Sequence, residues 1–429
     1  MSINLIYRAG DRVTYIKPET VFTPPNVIEE ILQQGFVAAQ KQDWLEVSNV
    51  LNALPQKKTE PLKKQLVLGA KDWQTAFDLA LSMLLQGEFQ HKWEIAKIFP
   101  RLGKDIIEPL SLMALDETVE PEVRWFMCQI LGHFAEQSVV LVLVQLLQQS
   151  SDRELMEMAG KTLTKIGDQA VEALIDLISQ PEYTLLAVQS LSYIRTTATI
   201  SPLIDVTNHP EAGVRAIAVS ALGSFHDRRI PPVLLAALED KASQVRQEAA
   251  IALGFRADLC EEINLVEQLQ PLLYDLNLAV CRQTAVSLGR MGRDEANLAL
   301  LKVLQAETTP ASFKSDLIKA LGWSRQASGI TYLGEALINA SELVMQEIIV
   351  VLGRTSTPEL KLQAARVLTD FYHRQSGLAA TIEQTLATSL GQLGDPSTRS
   401  VLEQLATSSD RKVQLHAVSA LKKLSINNH

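Results

Sequence analysis

Cysteine is scarce in this chain of 429 residues: there are three, Cys128, Cys260 and Cys281, and no two form a CxxC pair. That argues against a disulfide framework and against a cysteine-built zinc or cluster site, and an odd, dispersed set fits a reducing compartment. Histidine offers no substitute. The seven histidines form neither HxxxH nor HExxH, the spacings that put two imidazoles on one helix face. Phosphate-cradling GxxxxGK[ST] and GxGxxG and the nucleophile elbow GxSxG are also missing. The residues therefore point to no catalytic set and no resident cofactor or metal. Positive charge is in deficit: the formal net charge is -9 and the pI near 5.4, which argues against a nucleic-acid partner. The longest apolar run, Val139 to Val144, is too short to span a bilayer. The opening MSINLIYRAG has no apolar core of a secretory signal, so a soluble cytoplasmic protein is expected. Aromatics are only 5%, so each exposed one carries information.

What the chain has in abundance is helix-forming apolar sequence, with 47% hydrophobic residues, and a repeat. Leu-Gly recurs at Leu131, Leu222, Leu253, Leu288, Leu321, Leu352 and Leu390, with degenerate copies at Leu163, Leu191 and Leu421. A weaker copy, Phe99-Pro100, precedes Leu131 by one further step. A near-constant period, here roughly 30 residues, is the mark of a stacked repeat architecture. Each unit has one grammar: a leucine-rich helix such as Leu234–Leu238, a polar turn such as Glu239-Asp240-Lys241, and a second helix reading Val245, Arg246, Ala249, Ala250, Ala252, Leu253, Gly254. The alanines let helices approach closely, and the Gly is expected to stop the helix. One such hairpin cannot bury its apolar face alone, so neighbours must stack.

The pattern VRxxAAxALG, met at Val245–Gly254 and closely at Val214–Gly223, resembles the HEAT-type repeat of phycobilisome-lyase-type proteins. The resemblance covers roughly residues 90 to 425. It implies an all-α, α–α superhelix: a HEAT-repeat solenoid of about ten repeats over 91–429. In that family an Asp of the intra-repeat turn supports the Arg, and Asp240 with Arg246 fits the pair. Arg124 and Arg215 have Thr118 and His209 at the matching turn position, and other repeats replace the Arg itself by Met156, Cys281, Lys314, Met345, Glu383 or Gln414. The size and the non-repeat start suit a cyanobacterial branch similar to the HEAT protein that binds the iron–sulfur assembly protein IscA. Residues 1–24, with Gly10, Pro18 and Pro24, read as an irregular arm. Residues 25–90 read as a helical N-terminal cap of two hairpins, Asn26–Gln40 with Asp43–Leu54 and Leu62–Gly69 with Trp73–Leu85, joined by a polar linker Pro55–Pro61.

Counting from the Leu of Leu-Gly as zero, positions -8, -4, -1 and 0 are apolar or small and face the core. Positions -6, -2 and +2 vary freely and share one face of the second helix. Second helices line the concave surface in HEAT solenoids, so the resemblance turns this stripe toward a groove. At +2 stand His133, Tyr193, Phe255 and Trp323, with Arg290 and Arg354 among them, while Trp125 and Arg282 stand at -6. Trp, Tyr and Arg dominate protein–protein hot spots. The stripe also carries Lys161, Lys165 and Lys319 against a single acid, Glu157. These residues point to a non-catalytic scaffold or adaptor that receives an acidic protein surface, in iron–sulfur assembly or photosynthetic-complex biogenesis by the resemblance. The same resemblance implies an alternative, a bilin lyase subunit or chaperone acting on a phycobiliprotein. There Arg282, Arg290 and Arg354 would hold the two propionates of a transient bilin, with Phe255 and Trp323 stacked on its rings.

Overall fold

The structure, a computed structural model, describes residues 25–57 and 65–426. The expected arm over 1–24 lies outside the described residues, as do residues 427–429 and most of the expected linker. The fold is all-α and divides into two compact units, Met1–Thr199 and Ile200–His429.

The first unit is a stack of five helical hairpins: α1 (Pro25–Gln40) with α2 (Trp44–Ala53), α3 (Ala70–Gln86) with α4 (Phe89–Ala96), α5 (Ile107–Leu115) with α6 (Pro121–Leu131), α7 (Gln137–Gln149) with α8 (Arg153–Ile166), and α9 (Val171–Ile178) with α10 (Thr184–Tyr193). The hairpin expected from Leu62–Gly69 is corrected here. Gln65–Leu66 is extended and pairs antiparallel with Gln56–Lys57, and α3 instead folds against α4. Val67 N–H donates to the Pro55 carbonyl at 3.0 Å, which ties this ribbon across the exit of α2, where Pro55 cannot continue a helix.

The second unit has seven hairpins: α11 (Ile200–Asp205) with α12 (Ala212–Leu222), α13 (Ile230–Ala237) with α14 (Ser243–Gly254), α15 (Leu265–Leu269, running into a tight turn at Gln270–Tyr274) with α16 (Leu278–Met291), α17 (Asp294–Gln305) with α18 (Ala311–Trp323), α19 (Ala327–Ile338) with α20 (Glu342–Gly353), α21 (Pro358–Arg374) with α22 (Ala380–Leu393), and α23 (Arg399–Leu405) with α24 (Arg411–Ile426). In both units the second helices form one layer and the first helices the other. The predicted core register holds: Val245, Ala249, Ala252 and Leu253 are all buried.

The Leu-Gly glycines do not end their helices by a left-handed turn. Gly132 has φ -63° and Gly223 φ -57°, which any residue adopts. Their role is approach. A Cβ on Gly223 would lie 2.6 Å from the Cβ of Ala252, and one on Gly391 would lie 2.6 Å from that of Ala420. A Cβ on Gly289 would meet the Ala320 carbonyl oxygen at 2.6 Å. Each +1 glycine is thus seated on the -1 residue of the next second helix, which is Ala or Ser at five of the seven and Thr162 or Val351 at the others. In most of the second unit the second helices touch one another more extensively than the first helices do.

The turn chemistry also differs from expectation. Arg246 does not pair with Asp240 of its own repeat; it donates through Nη1 to the Asp240 carbonyl at 2.7 Å and through Nε and Nη2 to Asp275 of the following repeat at 2.6 and 2.7 Å. Asp240 in turn receives Arg215 at 2.8 and 2.7 Å. Each Asp also accepts from a backbone N–H at the start of its own second helix, Ala242 or Asn277, both at 2.8 Å. The pairing therefore links repeats rather than closing one. At three positions without Arg the carbonyl six residues back still finds a donor: Thr184 Oγ1 to Ile178, Cys281 Sγ to Asp275 and Gln414 Nε2 to Ser408, at 2.8, 3.1 and 2.8 Å. There the side chain satisfies the end of the preceding turn, a role that Met156, Met345 and Glu383 have no donor to fill.

All three cysteines are buried. Burial pushes the Cys128 thiol up to about 12 and raises those of Cys260 and Cys281. Since the thiolate is the reactive species, a disulfide dye at mildly alkaline pH should label no thiol of the native chain and all three after denaturation. A rapidly labelled thiol in the native state would contradict this packing.

Candidate functional site

The side chains at position +2 sit at the C-terminal ends of the second helices. In the second unit the structure brings Phe255 and Arg290 together: the guanidinium lies over the ring at 4.6 Å to the centroid. Phe255 is 64% exposed and Trp323 56%, and Arg290 and Arg354 are exposed as well. The row Phe255, Arg290, Trp323, Arg354 thus follows four successive second helices and alternates ring with cation. Leaving a large apolar side chain in water forgoes roughly 1.5–3 kcal/mol of burial each time, so two rings in this row are not explained by packing.

Arg282 is placed differently. Its Nε donates to Asp316 at 2.8 Å. Lys319 reaches Glu347 at 3.6 Å and Ser315 at 3.0 Å, and Ser315 donates to Glu347. The expectation of a stripe opposed by one acid is corrected by these contacts. Asp316 and Glu347 stand at position -5, one residue outside the stripe, and reach back to the preceding second helix.

In the first unit Tyr193 is 75% exposed, and His133, Lys161 and Lys165 are exposed. Desolvation and the Lys165 charge hold His133 below its ordinary pKa, and desolvation lowers that of Lys165. Trp125 is half-buried, its ring 5.0 Å from and edge-on to Phe126. It belongs to an aromatic group that periodicity alone did not single out: Phe126 lies 5.4 Å from Phe89 and 6.4 Å from Trp93, and Lys97 sits 5.8 Å from the Trp93 ring. Trp93 and Lys97 are the -6 and -2 positions of the weak copy at Phe99. The register extends one repeat further than Leu-Gly does, and the missing Leu-Gly hid it.

A shallow cleft of about 510 Å³ between the start of α13 and the Ala257–Leu259 turn is lined by Pro231, Pro232, Leu259 and Arg256. Arg256 is bonded to Asp258 through Nε and Nη2 at 2.9 and 2.8 Å, so its charge is already matched. Among the described residues no group of three or more His, Cys, Asp or Glu side chains could hold a metal ion. Among them, too, no helix is long and apolar enough to cross a membrane.

A family profile described as HEAT repeats matches residues 109–192, 171–254 and 200–286. HEAT repeats are therefore detected in this stretch, which holds the full copy of the VRxxAAxALG pattern at Val245–Gly254 and the near copy at Val214–Gly223. No curated protein matches the sequence. Among solved structures the chain is similar to the karyopherin Kap121p bound to RanGTP, at 16% identity and a TM-score of 0.48 over 92% of this chain and 53% of that one. It is similar to human deoxyhypusine hydroxylase at 20% identity and a TM-score of 0.27, over 62% of this chain and 99% of that one. A third likeness is an engineered protein, at 21% identity and a TM-score of 0.38 over 83% and 97%. The chain spans about half the length of the karyopherin.

Proposed function

We propose that these HEAT repeats form a non-catalytic scaffold whose inner, second-helix face holds a protein partner with an acidic surface. One observation carries the reading: in a chain with 5% aromatics, Phe255 and Trp323 stand exposed in one row with Arg290 and Arg354. Cations are favoured at helix C-termini by the macrodipole, which accounts for the arginines but not for the rings. Exposed aromatic and Arg side chains at helical spacing are what a protein hot spot uses. The Arg290–Phe255 stack holds both groups in place before binding, which lowers the ordering cost. The VRxxAAxALG form of the repeat supports looking for the partner among proteins of iron–sulfur assembly and photosynthetic-complex biogenesis. Three buried, unpaired thiols suit a reducing cytoplasm. The bilin reading is less well supported, because Arg282 is taken by Asp316 and only Arg290 and Arg354 are left to hold two propionates.

The test is co-purification of the tagged chain from its native cell beside an Arg290→Glu/Trp323→Ala variant. Both side chains are exposed, so the variant should melt with the wild type. The partner should be recovered with the wild type and lost, at least about tenfold, with the variant. Recovery of the same partner by both would overturn the reading.

A further inference from the structure

The cations of the second-helix face are not equivalent, and the reason lies one residue off the stripe. In the second unit position -5 is acidic at Asp316 and Glu347, and these carboxylates neutralise Arg282 and Lys319. In the first unit the same position holds Phe126, Met158 and Leu186. Leu186 is spent on packing, since its side chain fills the space a Cβ on Gly160 would enter, at 3.1 Å. Position -5 thus supplies no carboxylate to Lys161 or Lys165. Glu157, one turn before Lys161, is bonded to Arg153 at 3.1 Å. Among the described residues neither lysine forms an ion pair.

Two contacts fix how these groups gather. A Cβ on Gly132 would lie 2.6 Å from the Thr162 methyl, so Gln129 of α6 and His133 just beyond its end flank Lys161 and Lys165 of α8. Ser190 Oγ donates to the Gly160 carbonyl at 3.4 Å, which sets Gln189 and Tyr193 of α10 on the other side. Lys165 lowers the pKa of His133, as it would from within such a group. The result is a patch across three second helices that is rich in hydrogen-bond donors and has one acid on its stripe, Glu157, which is bonded to Arg153. Three helices side by side at about 9–10 Å span roughly 20 Å, about six residues of extended chain at ~3.3 Å each.

We infer that this first-unit patch, formed by Gln129, His133, Lys161, Lys165, Gln189 and Tyr193, binds an extended acidic peptide segment. This inference rests on the scaffold reading and deepens it. It assigns the reading of negative charge to the first unit, whereas the aromatic–Arg row of the second unit anchors by ring and guanidinium contact. A peptide fits better than a compact anion because the donors are spread along the repeats rather than converged on one point.

The experiment is fluorescence anisotropy of labelled octaglutamate with the full chain, with octaglutamine as the neutral control and tripolyphosphate as a competitor. Three proteins are compared: wild type, Lys161→Glu/Lys165→Glu and Phe255→Ala/Trp323→Ala. The substituted side chains are exposed, and melting curves check that each protein is folded. Octaglutamate should bind the wild type, weaken at least about tenfold in the lysine variant, weaken with salt, and be unchanged in the aromatic variant. Three results overturn the inference: no octaglutamate binding by the wild type, equal binding by the lysine variant, or tripolyphosphate binding without peptide binding. None of them bears on the scaffold reading, which falls only if the native partner survives Arg290→Glu/Trp323→Ala.

Discussion

Gly289→Val should destabilise the chain by about 3 kcal/mol, the upper end of the cost of overpacking a core, and lower its melting temperature by roughly 5–10 °C. A Cβ there meets the Ala320 carbonyl oxygen at 2.6 Å and its Cα at 3.1 Å. The obstacle is backbone, which cannot turn aside as a side chain does, so α16 and α18 must separate and every later hairpin shifts with α18. Gly213→Ala is the control. That glycine also lies in a second helix, but the one atom near its added Cβ is a Glu211 carboxylate oxygen at 3.8 Å. Removing its backbone freedom should therefore stabilise by about 0.5–1 kcal/mol. Parallel thermal melts decide the matter, and equal effects of the two substitutions would contradict the close-approach role of the +1 glycines.

Arg246→Leu should cost about 3–5 kcal/mol, the range for stripping one partner from a buried ion pair. Asp275 is 8% exposed at its side chain and would keep only the Asn277 N–H. Arg246→Leu/Asp275→Leu should restore most of the loss, because both charges then leave together. The effect has a pH signature. Arg246, by its hydrogen bonds, holds the Asp275 carboxyl below the ordinary carboxylate range, assisted by the Asn277 N–H. A depressed pKa contributes stability above the unfolded value of about 3.9 and loses it as pH falls through the lower folded value. The gap between wild type and Arg246→Leu should therefore be full at neutral pH and shrink below pH ~4. Urea unfolding at the two pH values measures it. A single-variant cost below about 1 kcal/mol would mean that the inter-repeat bridge is ornamental.

The parts legible in the sequence were those with a period. The regular return of Leu-Gly marks the hairpins and the superhelical class, and the -8, -4, -1 and 0 positions mark the buried face, because burial repeats with the fold. What escaped was what crosses from one repeat to the next. The Arg246–Asp275 bridge spans 29 residues, and reading each repeat as a closed unit assigns the wrong aspartate. Asp316 and Glu347 were missed for the same reason: a -5 side chain belongs to the neighbour it reaches. Gly289 was readable as special but not as to why, since a helix stop and a close approach select the same residue. Trp93 was hidden because Phe99-Pro100 is a poor copy of Leu-Gly, although one repeat length back from Trp125 lands on it. The candidate residues of the stripe follow from register alone, and the structure adds that Arg282 and Lys319 are committed to carboxylates of the next second helix.

The central claim is that a partner is held on the inner face. The most direct measurement places a photo-crosslinking benzoylphenylalanine at Trp323 and, in a second protein, at Leu298, which is 40% exposed on the first-helix layer. Both are irradiated in the native cell and the adducts identified by mass spectrometry. One protein adduct is expected from position 323 and none from 298. The same adduct from both positions, or from 298 alone, would contradict it.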